Sequence, residues 1–136
     1  MGTFSRVDQL KIYTDGSHKK KWGSWAFIIV QDDVVVHEAS GRERYTDSLR
    51  MEFQAAIEAL KYLKPKTQAQ LFSDSRILVN AVLDPLKRPA VNADQVQALL
   101  KLNSSHQVTF NWVKAHSGNV FNERCDSLCN QARDAF

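Results

Sequence analysis

The chain is organised around the stretch Ile12-Tyr13-Thr14-Asp15-Gly16-Ser17. This apolar, β-prone run ends in a carboxylate, a glycine and a small hydroxyl residue, which predicts a strand that stops at Asp15. Glycine at such a point lets another backbone segment or a ligand come close. A carboxylate held at the end of a strand is a candidate ligand for Mg²⁺, which needs several oxygen ligands. We expect the chain to bring Glu52, Asp74 and Asp126 to the same place.

Length and charge restrict the class of protein. The 136 residues predict one domain spanning residues 1–136, with residues 1–9 as a disordered N-terminal extension. Setting aside the four candidate ligands leaves 18 basic residues against 11 acidic ones. A basic surface favours a polyanionic partner, although many soluble proteins are equally basic without binding nucleic acid.

The sequence contains no predicted membrane segment. No stretch approaches the ~18 apolar residues of a spanning helix, and Met1–Arg6 lacks the apolar core of a signal peptide. We therefore expect a soluble, cytoplasmic protein that does not associate with membranes. Cys125 and Cys129 lie four residues apart on one face of a predicted helix, a geometry that disfavours a disulfide. Buried reduced thiols are the favoured interpretation, and a two-cysteine metal clip is the alternative.

The first half of the chain predicts three strands and a helix. Residues 10–15, 26–30 and 34–39 are separated by short links and predict an antiparallel meander. A basic turn, residues 18–21, follows the first strand. A helix capped by Asp47 or Ser48 is expected to run to about Leu63, with Glu52 in its first turn beside the apolar stripe.

The second half alternates strands with helices. Residues 70–73 predict a strand ending on Asp74, followed by a helix over residues 76–83. Two prolines predict a loop over residues 84–91, and Asn92 with Gln95 resembles a capping box for a helix to about residue 102. Residues 106–113 predict the last strand, residues 114–118 a mobile loop, and Asn119 the start of the final helix. The expected fold is α/β, a mixed five-stranded sheet with strands 1–3 antiparallel, strands 4–5 parallel and helices on both faces.

Four short sequence motifs are informative because of the order in which they occur. They are Tyr13–Ser17, Arg50–Ala56, Phe72–Ser75, and Trp112–His116 followed by Asn122–Asp126. Each motif alone is common, but their order, spacing and flanking residues resemble type 1 ribonuclease H. That family consists of endonucleases that cut the RNA strand of RNA–DNA hybrids. The resemblance covers about residues 10–133 and implies the RNase H-like fold.

The resemblance also implies a mechanism. Two Mg²⁺ ions, with Mn²⁺ as a possible substitute, would activate water and stabilise the leaving 3′ oxygen, giving 5′-phosphate products. Asp15 would bridge both ions, Glu52 and Asp74 would chiefly hold the leaving-group ion, and Asp126 would help hold the other. His116 would assist proton transfer or product departure. Taken singly, these carboxylates have ordinary interpretations as turn residues, helix caps or solvated charges.

The implied substrate contacts depart from the family pattern. The turn after the first motif is shorter, with lysines that could contact phosphate or simply face solvent, beside Trp22 and Trp25. Asp47-Ser48 and Arg76 stand where asparagines and a glutamine are usual, and the basic protrusion of some bacterial members is replaced by residues 84–91. The candidate substrate-binding residues are Gly16, Ser17, Lys19, Lys20, Lys21, Ser48, Arg76 and Asn119.

The expected function is therefore hybrid cleavage by a monomer, with an RNA–DNA hybrid as the partner. The alternatives are a non-catalytic module that binds hybrids or double-stranded RNA, and another nuclease or DNA-strand transferase on the same fold. Retention of all four carboxylates argues against a module that only binds.

Overall fold

The computed structural model describes residues 10–135. The strands are β1 (Leu10–Lys19), β2 (Trp22–Gln31), β3 (Val34–Arg44), β4 (Gln68–Ser73) and β5 (Gln107–Trp112). The helices are α1 (Ser48–Tyr62), α2 (Arg76–Leu83), α3 (Ala93–Asn103) and α4 (Val120–Arg133). The extension predicted for residues 1–9 lies outside the described residues.

The five strands form one mixed sheet in the order β3-β2-β1-β4-β5. The pairs β1–β2 and β2–β3 are antiparallel, whereas β1–β4 and β4–β5 are parallel. This arrangement confirms the predicted fold class. The parallel half follows from the helical crossovers between its strands, while tight turns join the antiparallel half.

Strand β1 is longer than predicted. It does not stop at Asp15 but pairs with β2 through Ser17↔Ser24 and Lys19↔Trp22. The expected basic turn over residues 18–21 shrinks to two residues, Lys20 and Lys21, because antiparallel pairing continues to its edge. Asp15 therefore lies inside a paired strand, which holds its backbone more firmly than a strand end would.

The sheet separates two apolar cores. Alternate residues of β1 face opposite sides, so Ile12 packs with α1 residues such as Phe53, and Tyr13 packs with Cys125 and Cys129 of α4. Both cysteines are buried free thiols, as predicted. Helices thus cover both faces, and the side chains of Asp15 and Ser17 follow Tyr13 onto the α4 face.

Helix α1 begins as predicted but carries Glu52 further along than expected. The Asp47 carboxylate accepts a hydrogen bond from the backbone N of Arg50 at 2.8 Å, which makes Asp47 the N-cap. Glu52 is then the fifth helical residue and lies in the second turn. The prediction of a first-turn position was wrong, because Asp47 caps the helix and four helical residues, Ser48 to Met51, precede Glu52.

The segment before α3 also differs from its prediction. Two short 3-10 helices, Pro85–Lys87 and Ala90–Asn92, occupy the predicted loop. Asn92 makes no capping hydrogen bond. Its buried side-chain nitrogen donates to Gln95 Oε1 at 3.0 Å, and main-chain bonds of the 3-10 turn lead directly into α3. The predicted capping box was therefore wrong, although the predicted helix exists.

None of the helices in the described part of the chain has the length and apolar character that spanning a membrane requires.

Candidate metal centre

Two neighbouring parallel strands bring Asp15 and Asp74 together. The pairing of β1 with β4 ends at Tyr13↔Phe72, and β4 itself ends one residue later at Ser73. Asp74 therefore leaves the sheet beside the point where Asp15 sits in β1. A second contact fixes the Asp74 backbone, because the indole nitrogen of Trp112 donates to the Asp74 carbonyl oxygen at 3.1 Å.

Glu52 reaches the same point because Gly16 lets helix α1 approach the sheet. A Cβ at residue 16 would lie 2.3 Å from the Glu52 backbone nitrogen and 2.4 Å from the Met51 carbonyl carbon. Any side chain there would push the helix away. The glycine that follows Asp15 in sequence therefore has a packing role, and it sets the distance between Asp15 and Glu52.

Asp126 arrives from the opposite face on α4. Cys125 and Cys129 are fully buried against β1 and β2, and Ser24 Oγ of β2 donates to the Cys129 carbonyl oxygen at 2.8 Å. These contacts dock α4 with Asp126 close enough to Asp15 to raise the pKa of the Asp15 carboxyl. Asp126 thus lies beside Asp15, outside the group of three carboxylates formed by Asp15, Glu52 and Asp74.

The cluster is compact and electrostatically costly. Carboxylate oxygens of Asp15, Glu52 and Asp74 all lie within 4.8 Å of one another. Burial, and after it the carboxyl groups of Asp126 and Asp74, raise the pKa of Asp15 to about 9. Burial and the charges of Asp15 and Asp74 raise the pKa of Glu52 well above its usual range. Burial also raises the pKa of Asp74, against the lowering effect of its hydrogen bond with Glu52.

These residues fit a divalent cation. Glu52 Oε1 is buried without a hydrogen-bond partner, and a buried carboxylate oxygen is stable only when it is protonated or paired with positive charge. No lysine or arginine forms an ion pair with the four carboxylates in residues 10–135. All the available donors are oxygens, which is the set that Mg²⁺ and Mn²⁺ prefer.

His116 lies on the loop between β5 and α4, at the rim of the cluster. The loop is exposed, and the backbone of His116 is left-handed at φ 54°, as is that of Gly118 at φ 91°. His116 lies close enough to Asp74 to interact with its charge. This interaction acts to lower the pKa of Asp74, which burial raises overall. The imidazole is thus near the acidic residues without being one of the clustered ligands.

Comparison with known sequences identifies the family. A sequence model of the RNase H family matches residues 7–134. The chain belongs to the RNase H family. A ribonuclease H of Francisella philomiragia is 37% identical over 97% of this chain and 95% of its own length. A ribonuclease H of Chlorobium limicola is 40% identical over 91% of this chain and 94% of its own length.

Solved structures agree on the fold. The N-terminal RNase H domain of a Mycobacterium tuberculosis protein superposes with a TM-score of 0.80 at 19% identity, covering 92% of this chain and 93% of the other. LC11-RNase H1, solved in complex with an RNA/DNA hybrid, superposes with a TM-score of 0.78 at 19% identity, covering 92% and 96%. At these identities the likeness concerns the fold alone.

The sequence-predicted metal ligands of this RNase H chain converge, whereas the predicted substrate residues are spread around them. Ser48 and Arg76 begin α1 and α2 and line, with Glu52, Asp74 and Trp112, a depression of about 450 Å³ next to the cluster. The remaining predicted substrate residues lie along β1, in its turn and at the start of α4: Gly16, Ser17, Lys19, Lys20, Lys21 and Asn119.

Two of these substrate residues already have structural partners. Asn119 is the N-cap of α4, with its side-chain oxygen accepting from the backbone nitrogens of Phe121 and Asn122 at 3.0 Å. Ser17 Oγ accepts from Arg133 Nη1 at 2.6 Å. Substrate contact by either residue stays a prediction, since these bonds leave part of each side chain's capacity unused.

Sequence reasoning missed the part that Trp112 plays beside the cluster. Its indole nitrogen donates a hydrogen bond to the carbonyl oxygen of Asp74. The Arg76 guanidinium stacks on the same ring, with its carbon 3.9 Å from the ring centre. The sequence did contain a signal. Trp112 ends the predicted last strand, and Asp74 follows the strand predicted to run parallel to it. Parallel neighbours end at the same edge of a sheet, so a tryptophan there is a candidate support for the carboxylate.

Proposed function

We propose that this chain is a divalent-metal-dependent endonuclease that hydrolyses the RNA strand of RNA–DNA hybrids. The observation that carries the proposal is the cluster of buried Asp15 with the partly buried Glu52 and Asp74, together with an unpartnered Glu52 oxygen and Asp126 alongside. Membership of the RNase H family supports the reaction type. Relatives named ribonuclease H across nearly the whole chain, and a structural neighbour solved with an RNA/DNA hybrid, support the substrate.

Mg²⁺ is the proposed cofactor, in two copies, with Mn²⁺ as a substitute. When bound, such ions supply an activated water and neutralise charge on the leaving oxygen. Asp15 would suit contact with both, because it neighbours Asp126 as well as Glu52 and Asp74. Burial of Asp15 and of Glu52 Oε1 removes water from these groups, which strengthens their hold on a cation.

Residues around the cluster are proposed to orient the substrate. The depression lined by Ser48, Arg76 and Trp112 opens beside Glu52 and Asp74, where a scissile phosphate has to lie. Arg76 is held flat on Trp112 and offers its N–H groups to phosphate or sugar oxygens. His116, on its exposed loop near Asp74, is proposed to exchange a proton with the leaving group or to help product depart.

One experiment separates this function from its alternatives. Labelled RNA–DNA hybrid, double-stranded RNA and double-stranded DNA are incubated with the protein, with and without Mg²⁺, and with Asp15→Asn as the matched inactive variant. We expect Mg²⁺-dependent cleavage of the hybrid alone, giving 5′-phosphate ends, and none by the variant. Binding without cleavage would establish a non-catalytic module, and cleavage of double-stranded DNA another activity of the fold. Action as a monomer and a cytoplasmic location stay predictions from the sequence.

A further inference from the structure

A basic surface lies next to the C-terminal end of α4. It is formed by the β1–β2 hairpin and the neighbouring strand β3. It surrounds a depression of about 330 Å³ and is named the hairpin basic surface. Its lining residues are Lys19, Lys20, Trp22, Arg42, Arg133, Asp134 and Ala135. Four side chains are cationic and one is anionic. The single acid, Asp134, is paired with Arg133 at 3.0 Å, so the surface as a whole keeps a strong positive charge.

The cations on this surface are preorganised. The Arg42 guanidinium carbon lies 3.7 Å from the centre of the Trp22 ring, and that of Arg44 lies 5.2 Å from it. A guanidinium stacked on an aromatic ring loses less freedom when it binds a ligand. Arg133 is likewise held, by its hydrogen bond to Ser17 and its ion pair with Asp134. Flexible solvated lysines alone would lack this rigidity.

Three of the four cations have no ion-pair partner. Within residues 10–135, Lys19, Lys20 and Arg42 form no ion pair with a carboxylate. Arg42 Nη1 is buried and has no hydrogen-bond acceptor there. Two neighbouring arginines on one tryptophan repel each other and lose hydration, a cost that an anionic ligand offsets. The surface therefore suits an anionic ligand, and the spread of its cations favours a polyanion such as a sugar–phosphate backbone.

The surface continues from the metal centre along a single strand. Asp15, Ser17 and Lys19 alternate onto the same face of β1, and four residues of strand at about 3.4 Å each separate Lys19 from Asp15 by about 14 Å. One strand of a duplex presents a phosphate about every 3.4 Å along the helix axis, so this distance corresponds to about four base pairs. A duplex cleaved at Asp15 and running along β1 reaches the surface with its next half turn.

We infer that the hairpin basic surface binds the sugar–phosphate backbone of the hybrid about four base pairs to one side of the cleaved bond. The inference rests on the proposed function for the identity of the polyanion, and it names Arg42, Trp22 and Arg133, which lie outside the active site. In this role the surface holds one arm of the duplex and supplies affinity in a chain without a basic protrusion.

The test measures hybrid binding separately from cleavage. Fluorescence anisotropy with a labelled hybrid of about 20 base pairs is recorded in EDTA at several salt concentrations, for wild type, Lys19→Gln and Arg42→Gln. The matched controls are Lys64→Gln and Lys101→Gln, which remove the same charge from exposed positions outside this surface. Lys19 has an exposed side chain without an ion-pair partner in the described chain, so its variant decides the matter if Arg42→Gln fails to fold.

Each surface variant should flatten the log–log salt slope by about 0.9 and weaken binding at about 50 mM salt by up to about 15-fold, because one phosphate contact is lost. The controls should change affinity by less than about twofold. On hybrids of about 12 base pairs with Mg²⁺, wild type should not cleave within about four base pairs of one end, because a duplex cut there would not reach the surface. The Lys19→Gln variant should cleave without this preference. The KM of Lys19→Gln should rise while its kcat stays unchanged, because the contact between this surface and the duplex is the same in the ground state and the transition state.

The outcomes separate the two proposals. If wild type cleaves the hybrid but Lys19→Gln and Arg42→Gln keep its affinity and salt slope, the surface does not bind substrate and the inference is overturned, while the function stands. Equal losses in the Lys64 and Lys101 controls would overturn it too, by showing a diffuse effect of net charge. Absence of hybrid cleavage by wild type, with binding that still depends on Lys19 and Arg42, would instead refute the nuclease function and leave a polyanion-binding surface.

Discussion

Replacing Asp15 with asparagine should stabilise the metal-free protein while abolishing hybrid cleavage. Asparagine has nearly the volume of aspartate but no charge, so it removes repulsion from Asp126 and Asp74 without opening a cavity. The same loss of charge removes a ligand that the proposed mechanism requires. Stability and activity are therefore expected to change in opposite directions, which a simple folding defect would not produce.

The size of the effect follows from the pKa of Asp15, which is about 9 in the fold against 3.8 for an ordinary aspartate. The folded state binds more protons than the unfolded state between these values, so metal-free stability is greatest below about pH 4 and falls as the pH rises toward about 9. At about pH 7 the cost reaches at most about 4 kcal/mol, at 1.36 kcal/mol per pH unit. Sharing of protons with Glu52 relaxes part of this, and we expect a gain of about 1–3 kcal/mol for Asp15→Asn.

The assay is urea unfolding in EDTA at about pH 5.5, 7 and 8.5. The stability of Asp15→Asn should exceed that of wild type by a margin that widens with pH, and Mg²⁺ at about 100 times its Kd should add about 2.7 kcal/mol to wild type but less to the variant. Asp94→Asn is the matched control. Its carboxylate is exposed and its pKa is lowered by Arg50, so its loss should not stabilise the protein at any of these pH values. A destabilised Asp15→Asn, or a margin that stays constant with pH, would refute the reasoning.

Three further variants test single contacts. His116→Ala should slow cleavage by about 10- to 100-fold with an unchanged Mg²⁺ requirement, in single-turnover kinetics, and complete loss would contradict an assisting role. Gly16→Ala should lower the free energy of unfolding by about 1–3 kcal/mol and reduce cleavage, because its Cβ would collide with the backbone of Glu52; an unchanged urea midpoint would argue against the close approach. Ser24→Ala should lower the free energy of unfolding in urea by about 1–3 kcal/mol, because the Cys129 carbonyl loses the hydrogen bond from Ser24. It should also raise the Mg²⁺ concentration for half-maximal cleavage, and an unaltered Mg²⁺ dependence would show that this bond does not position Asp126.

The fold could be predicted because its signals are local. Continuous apolar runs mark β1 and β2, alternation marks β5, and the turn at Asp32 and Asp33, with φ of 52° and 64°, permits the two-residue link between β2 and β3. The end of β1 could not be predicted in this way. Pairing of Lys19 with Trp22 depends on a partner strand, whereas the Asp-Gly pair suggests a local stop.

The sequence singled out the carboxylates of the candidate site but not the contacts that support them. Asp15, Glu52 and Asp74 stand out because each follows or interrupts an apolar run, which leaves few other roles for a charge there. Asp126, in contrast, lies in a polar helix and is marked only by the motif that contains it. The contact of Gly16 with α1, and the buried bond between Ser24 and Cys129, join residues 36 and 105 positions apart. Such contacts depend on how helices lie across the sheet, and no short pattern in the sequence encodes them.

Three independent devices hold the acidic cluster together, and none of them involves a cation. Gly16 seats α1 on β1, the ends of β4 and β5 fix Asp74 through Trp112, and the buried thiols with Ser24 dock α4. Apolar burial thus forces the carboxylates together against their repulsion, and protonation relieves the strain in the metal-free state. A divalent ion that binds there displaces protons from a preformed site rather than assembling one. Metal affinity should consequently rise steeply with pH, and the fold should persist without metal.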